Sequence, residues 1–192
     1  PRHKEGGGRQ SILLLTGDGV GDFILMSPAI REIRRIYPDA FITLAINPNF
    51  LPVAETCPYV NDILVKQQGV LFAEPTLAIM PKLLKRRFDI AFSFKHFSDF
   101  SLIMYLSGAK SRIIHGFLNP KEDEMSDDVH TYFQNLATHV VPANKYGTRV
   151  VDVFLSVVDD TLHAPVSNRE LEVWYTPADF TKAENFISNL PR

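Results

Sequence analysis

The sequence predicts an α/β fold, a parallel sheet with helices packed on both faces. Three observations carry that expectation. Short apolar runs of strand length alternate with stretches whose apolar residues recur every three or four positions. The first such run ends in a glycine-rich turn that opens directly into a helix. Alternation of this kind builds βαβ units, whose strands lie parallel in one sheet.

Ser11 to Thr16, SILLLT, is the first strand, and Gly17, Asp18, Gly19, Val20 and Gly21 form the turn, where three glycines remove side-chain crowding. From Asp22 onward Phe23, Met26, Ile30, Ile33 and Tyr37 share one helical face, with Arg31, Arg34 and Arg35 on the other. Pro28 conflicts with an unbroken helix, because it lacks an N–H and its ring crowds the preceding turn. A kink is expected there; the alternative is a restart with Ser27 as N-cap and Pro28 in the first position. Phe41 to Asn47 reads as the second strand, Asn49 to Thr56 as a short helix, and Asp62 to Lys66 as the third strand. Leu77 to Arg87 reads as a helix, and Phe88 to Phe94, rich in aromatic and β-branched residues, as the fourth strand. Further on, Val150 to Leu162 gives a helix, Glu170 to Tyr175 alternates as a strand, and Pro177 to Leu190 is a helix with Thr176 as N-cap.

Composition narrows the function classes. At 192 residues and 45% hydrophobic content the chain can bury one good core, or one and a small appendage. A net charge of −2 gives no electrostatic reason to expect nucleic-acid binding. Cys57 is the only cysteine, which excludes an internal disulfide and a multi-cysteine metal site and fits a reducing, cytoplasmic setting. No apolar run approaches the roughly 18 to 20 residues of a membrane span. Residues 1–10, PRHKEGGGRQ, lack the apolar core of a signal peptide and read as a flexible segment. His115, His130, His139 and His163 have no spacing that sets two metal ligands on one helix face, and the acidic stretch Lys121 to Asp128 has no regular metal-loop spacing. Neither a Gly-x-Ser-x-Gly elbow nor a base beside Cys57 supports serine or cysteine nucleophile chemistry. No metal or resident cofactor is therefore expected.

The turn after the first strand lies at the carboxyl edge of the sheet, where ligands bind in open α/β folds. A dinucleotide fingerprint does not fit: the third glycine comes one residue early, at Gly21, and the carboxylate of Asp22 would repel a pyrophosphate at the helix start. Asp22 can simply stabilise the helix N-terminus, or it can do chemistry. Lys95, His96, Phe97, Ser98 and Asp99 follow the fourth strand and should share the same edge. They either bind an anionic or polyhydroxylated ligand or cap and solvate a loop. The basic runs at Arg31, Arg34 and Arg35 and at Lys82, Lys85, Arg86 and Arg87 are either solvated helix faces or contacts to anionic head groups.

ILLLTGDGVGDFILMSPAIREIRRIYPDAFITLAINPNF resembles the opening of glycosyltransferase family 9, the lipopolysaccharide heptosyltransferases. The shared elements, in order, are an apolar strand, a small-residue turn ending Gly21-Asp22, the triplet Ser27-Pro28-Ala29, the helix with Arg31 to Arg35, and Pro38-Asp39-Ala40 before the second strand. FDIAFSFKHFSDFSLIMYLSGAKSRIIHGF, Phe88 to Phe117, is similar to the family's fourth strand, following helix, Ser-Gly-Ala turn and next strand. The resemblance spans roughly Ser11 to Leu190.

It implies a Rossmann-like domain, the amino-terminal half of the two-domain arrangement called GT-B, covering residues 11–176, with 177–192 leading towards a donor-binding domain that has no counterpart in these residues. It also implies sugar transfer with inversion, Asp22 as general base, and acceptor contacts from Gly17, Asp18, Gly19, Gly21, Lys95, His96 and Ser98. No metal is required by the resemblance. The co-substrate would be a nucleotide-sugar of the ADP-heptose kind, bound through the other domain, so that this chain alone would be inactive. The acceptor would be a lipopolysaccharide-type glycan or lipid-linked saccharide, handled in the bacterial cytoplasm with peripheral contact to the inner membrane. Where family members carry a basic residue followed by Ser, this sequence has Asp99-Phe100, which bears on acceptor choice. A non-catalytic glycan- or protein-binding domain and a flavodoxin-like nucleotide-binding domain remain open beside this reading.

Overall fold

A computed structural model of the chain describes residues 9–16, 19–65, 74–94, 98–115, 135–142 and 149–190. Its strands are β1 (Ser11–Leu15), β2 (Phe41–Ile46), β3 (Asp62–Val65), β4 (Ile90–Ser93), β5 (Ser111–His115) and β6 (His139–Val141). Its helices are α1 (Val20–Leu25), α2 (Ser27–Ile36), α3 (Leu51–Ala54, after a 3-10 turn at Pro48–Phe50), α4 (Glu74–Arg86), α5 (Ser98–Leu106), α6 (Val150–Leu162) and α7 (Pro177–Ser188). The described strands form one six-stranded sheet in the order β3-β2-β1-β4-β5-β6. Every pairing is parallel.

Alternation along β1 assigns the two faces of the sheet. Ile12 and Leu14 point into a core built with α1, α2, α3 and α6, through residues such as Phe23, Ile30, Ile33 and Phe154. Leu13 and Leu15 point into a second core with α4 and α5, through Leu83, Phe100, Ile103 and Met104. Helices therefore cover both faces, as the alternation of elements predicts. A central parallel strand is apolar on both sides for this reason, and Ile12 to Leu15 have no exposed surface.

The helix is interrupted two residues before Pro28, at Met26, which itself keeps right-handed helical backbone angles. The first helix ends at Leu25, Met26 forms a one-residue joint, and a new helix begins at Ser27. The Met26 N–H reaches both Asp22 O (3.0 Å) and Phe23 O (3.2 Å), so the turn tightens just where Pro28 can supply no N–H to the preceding turn. Ser27 is the first helical residue and not the cap, so the restart differs by one position from the alternative read in the sequence.

The other correction concerns Glu170 to Tyr175, which is extended but pairs with no strand. Its alternation is nevertheless real, with Glu172 and Trp174 half-buried and Leu171, Val173 and Tyr175 exposed. The segment lies across α2, and side chains of α2 take the place of a neighbouring strand in satisfying its backbone. The nitrogen of Glu172 donates to Ser27 Oγ (2.8 Å), and Arg31 donates to the carbonyls of Glu170 (3.2 Å) and Asn168 (2.8 Å). After it, α7 begins as read: Thr176 Oγ1 accepts from the Asp179 N–H, and Asp179 returns the bond to the Thr176 N–H.

Candidate active site

The strand order places the crevice of the sheet between β1 and β4. One half of the chain winds outward from β1 to β3 and the other from β4 to β6, and ligands in open parallel sheets bind at such a switch point, beyond the carboxyl ends of the strands. Leu15 is level with Ser93 across this junction. Both the turn after β1 and the start of α5 after β4 therefore open onto the same edge.

Asp22 stands in the first turn of α1, three residues after the N-cap Gly19, and is partly exposed. Its place follows from local sequence. Phe23 is buried in the core, and Phe23 N–H bonds to Gly19 O at 3.1 Å, which fixes the turn of helix that carries the carboxylate. The helix N-terminus favours a negative charge there. A Cβ added at Gly19 would meet Asp22 Oδ2 at 3.7 Å, so the carboxylate folds back over the cap residue. Among the described residues, a Cβ added at Gly21 would meet nothing within 4 Å, and Gly21 is exposed. Space for a ligand thus borders the backbone beside Asp22.

Of the residues expected to line the site, Gly19, Gly21 and Asp22 share this turn, and Ser98 is the first residue of α5 at the same edge. Gly17, Asp18, Lys95 and His96 lie outside the described residues, as do Lys121 to Asp128. The floor of the edge on the α1 side is formed by the last row of the sheet. Thr16 is level there with Ile46 and Phe94, and next to Phe94 comes His115. Thr16, Ser93 and His115 are polar and buried, which is unusual in rows otherwise filled by Ile, Leu and Phe. Buried polar groups at a strand's carboxyl end are the positions from which such folds present chemistry. No sequence pattern marked them, because each is a single polar residue at or next to the end of an apolar run.

The arginines of α2 have a role that the sequence did not reveal. Arg31 pairs with Glu172, and Tyr59 Oη and Trp174 Nε1 donate to the same carboxylate at 2.9 Å each. Burial pushes the Glu172 carboxyl up, but the hydrogen bonds from Arg31, Trp174 and Tyr59 outweigh it and hold the group below the usual glutamate range. Arg35 donates to Glu32, which has no exposed side-chain surface and also accepts from Ser167 N (3.2 Å) and Oγ (2.5 Å). Burial raises Glu32 too, and its hydrogen bonds likewise bring the net value below the ordinary one. Arg34 fastens the turn that follows α2, through the carbonyls of Pro38 and Ala40 (2.9 Å each) and Tyr59 (3.0 Å). This run is neither a solvated face nor a free cationic patch. In the second basic run Arg86 pairs with Asp62, while Lys82, Lys85 and Arg87 are exposed. Burial pushes the Cys57 thiol up to about 12, so it is inert as a nucleophile at neutral pH.

No protein-family model and no curated protein sequence matches this chain. Its fold is that of glycosyltransferases of known structure. A glycosyl transferase family 9 structure from Veillonella parvula matches with a TM-score of 0.74 at 16% identity, covering 93% of this chain and 49% of that one. The Escherichia coli ADP-heptose lipopolysaccharide heptosyltransferase II matches at 0.68 and 16% identity, covering 93% and 51%. The E. coli heptosyltransferase WaaC with ADP-2-deoxy-2-fluoro heptose matches at 0.65 and 13% identity, covering 95% and 55%. The chain spans about half the length of the structures it matches.

Proposed function

We propose that this chain is the acceptor-binding half of an inverting glycosyltransferase, with Asp22 as its general base. The observation that carries the reading is the position of Asp22: a carboxylate beside open backbone, at the switch point of a sheet with the heptosyltransferase fold. Asp22 takes the proton of an acceptor hydroxyl as that oxygen attacks the anomeric carbon of a nucleotide-sugar. The bond from that carbon to the diphosphate oxygen breaks on the opposite side, its electron pair leaves with the nucleotide diphosphate, and the configuration inverts. The exposed backbone at Gly21, with Gly19 before it, lets the acceptor come close to the carboxylate.

The donor on this reading is a nucleotide-sugar of the ADP-heptose class, held by a second domain that also stabilises the departing diphosphate, so the 192 residues alone are inactive. The acceptor is a glycan or lipid-linked saccharide met from the cytoplasm. Among the described residues, no helix is long and apolar enough to cross a membrane. Lys82, Lys85 and Arg87 are the exposed basic residues of the second run that could meet anionic head groups.

Titration of the isotope-labelled chain with a lipid-free lipopolysaccharide core oligosaccharide, followed by amide NMR, tests the site. Shifts concentrated at residues 19–26 and 93–100 are the expected result. Shifts on α7 and the segment before it, with residues 19–26 silent, would contradict the reading and favour a non-catalytic binding domain.

A further inference from the structure

The segment Glu172 to Thr176 touches the proposed site from behind. Trp174 packs edge-on against Phe23, the residue next to Asp22, with ring centroids 5.8 Å apart and planes at 71°. Its other flank meets Tyr59 at 5.9 Å and 78°. The indole cannot swing freely, because Nε1 donates to Glu172 Oε2 at 2.9 Å and the Trp174 carbonyl accepts from Thr56 Oγ1 at 2.9 Å. Glu172 is itself fixed by Arg31, by Tyr59 and by its own N–H on Ser27 Oγ. Ser27 and Arg31 belong to α2, and Phe23 belongs to α1. The segment therefore bridges the two short helices on either side of the Met26 joint.

At that joint the helical ladder loses a rung. A six-residue helix has few internal bonds of its own, and although Met26 N–H still reaches Asp22 O and Ile30 N–H reaches Met26 O, Pro28 supplies no N–H to the preceding turn. Packing outside the helix adds to what holds its direction, and besides the core around Phe23 that packing includes Trp174, which meets the Phe23 ring. We propose that Trp174, held in place by Glu172, is a positioning residue for Asp22: it wedges Phe23 and so fixes the turn of α1 that carries the carboxylate. The catalytic part of this inference rests on the reading of Asp22 as the base; the mechanical part does not. The wedge also lies two residues before Thr176, the cap of α7, whose described residues are all exposed. Whatever α7 joins is thus connected by a few residues of chain to the orientation of Asp22.

Hydrogen exchange on the intact chain tests the mechanical part. The Phe23 N–H bonded to Gly19 O and the Met26 N–H bonded to Asp22 O report on α1 directly. In Trp174→Ala these amides should exchange about tenfold faster, while those of β1 and the middle of α6 keep their rates. Trp174→Phe, which keeps an aromatic ring at this position but loses the indole N–H and part of the bicyclic ring, should restore part of the protection. Glu172→Gln, a milder change that removes the charge and one of the two oxygens shared by Trp174, Tyr59 and Arg31, should act in the same direction as Trp174→Ala but more weakly. Unchanged exchange at Phe23 and Met26 would overturn the proposal, and so would a uniform rise across all amides, the signature of a merely structural residue. Local loosening in Trp174→Ala together with full turnover in Asp22→Asn would leave the wedge standing and remove the catalytic reading.

Discussion

Gly21 is the residue at which fold and proposed function make opposite demands. It lies in the first turn of α1, and no described residue stands where its Cβ would go, so the packing among the described residues does not require glycine there. Alanine is the better helix former by about 1 kcal/mol. Gly21→Ala should raise the melting temperature and yet weaken saccharide binding, because its methyl occupies the space beside Asp22; unchanged binding would show that the acceptor does not approach this backbone. Cys57 offers a simpler check. With its thiol buried and pushed up to about 12, it should resist a thiol-labelling reagent at pH 8 in the folded protein and react at once in denaturant. Fast labelling of the native chain would show that the region around α3 is open. At this scale the sequence was legible where a residue's role is local, as with Asp22 at a helix start. It was not legible for Ser27, Arg31 or Trp174, whose partners lie far along the chain.

Among the elements, strands were readable because a parallel strand covered on both faces must be largely apolar, and β1, β2 and β4 are, with one polar residue each, Ser11, Thr43 and Ser93. The extended segment ending in Tyr175 misled for a related reason. Its period of two comes from Glu172 and Trp174 facing α2 and Phe23, and a strand paired in a sheet gives the same period. Two carboxylates help to hold this stretch, Glu172 within the segment and Glu32 bonded to Ser167 just before it, each net depressed below its ordinary range by hydrogen bonds. Groups whose folded values are depressed contribute stability in full above the unfolded glutamate value and lose it as pH falls through the folded one. Acidification below the usual glutamate range should therefore release the segment before the sheet unfolds. Trp174 is the sole tryptophan, so its emission should move to the red at a higher pH than the loss of far-ultraviolet circular dichroism. Coincident transitions would show that segment and sheet form one cooperative unit. For α7, Thr176→Ala removes the capping box and should cost about 1 kcal/mol of local helix stability. The main melting transition should stay where it is, because α7 buries no residue of its own; a lower transition would mean that α7 is coupled to the core.

At the scale of the whole molecule, the described strands form a sheet whose order reverses once, and that reversal brings the turn after β1 and the start of α5 to a common edge. Both sheet and edge could be anticipated from strand–helix alternation, since parallel connections place every turn after a strand on the same side. The likeness in fold to heptosyltransferase structures covers nearly all of this chain and about half of each of them. The central claim is that the carboxylate on this side is the base. It is tested most directly by turnover of Asp22→Asn in a form of the protein that includes a nucleotide-sugar-binding domain. Loss of a general base predicts a fall in kcat of about 10² to 10⁴-fold with the melting temperature unchanged. Turnover equal to that of the parent protein would contradict the assignment of Asp22.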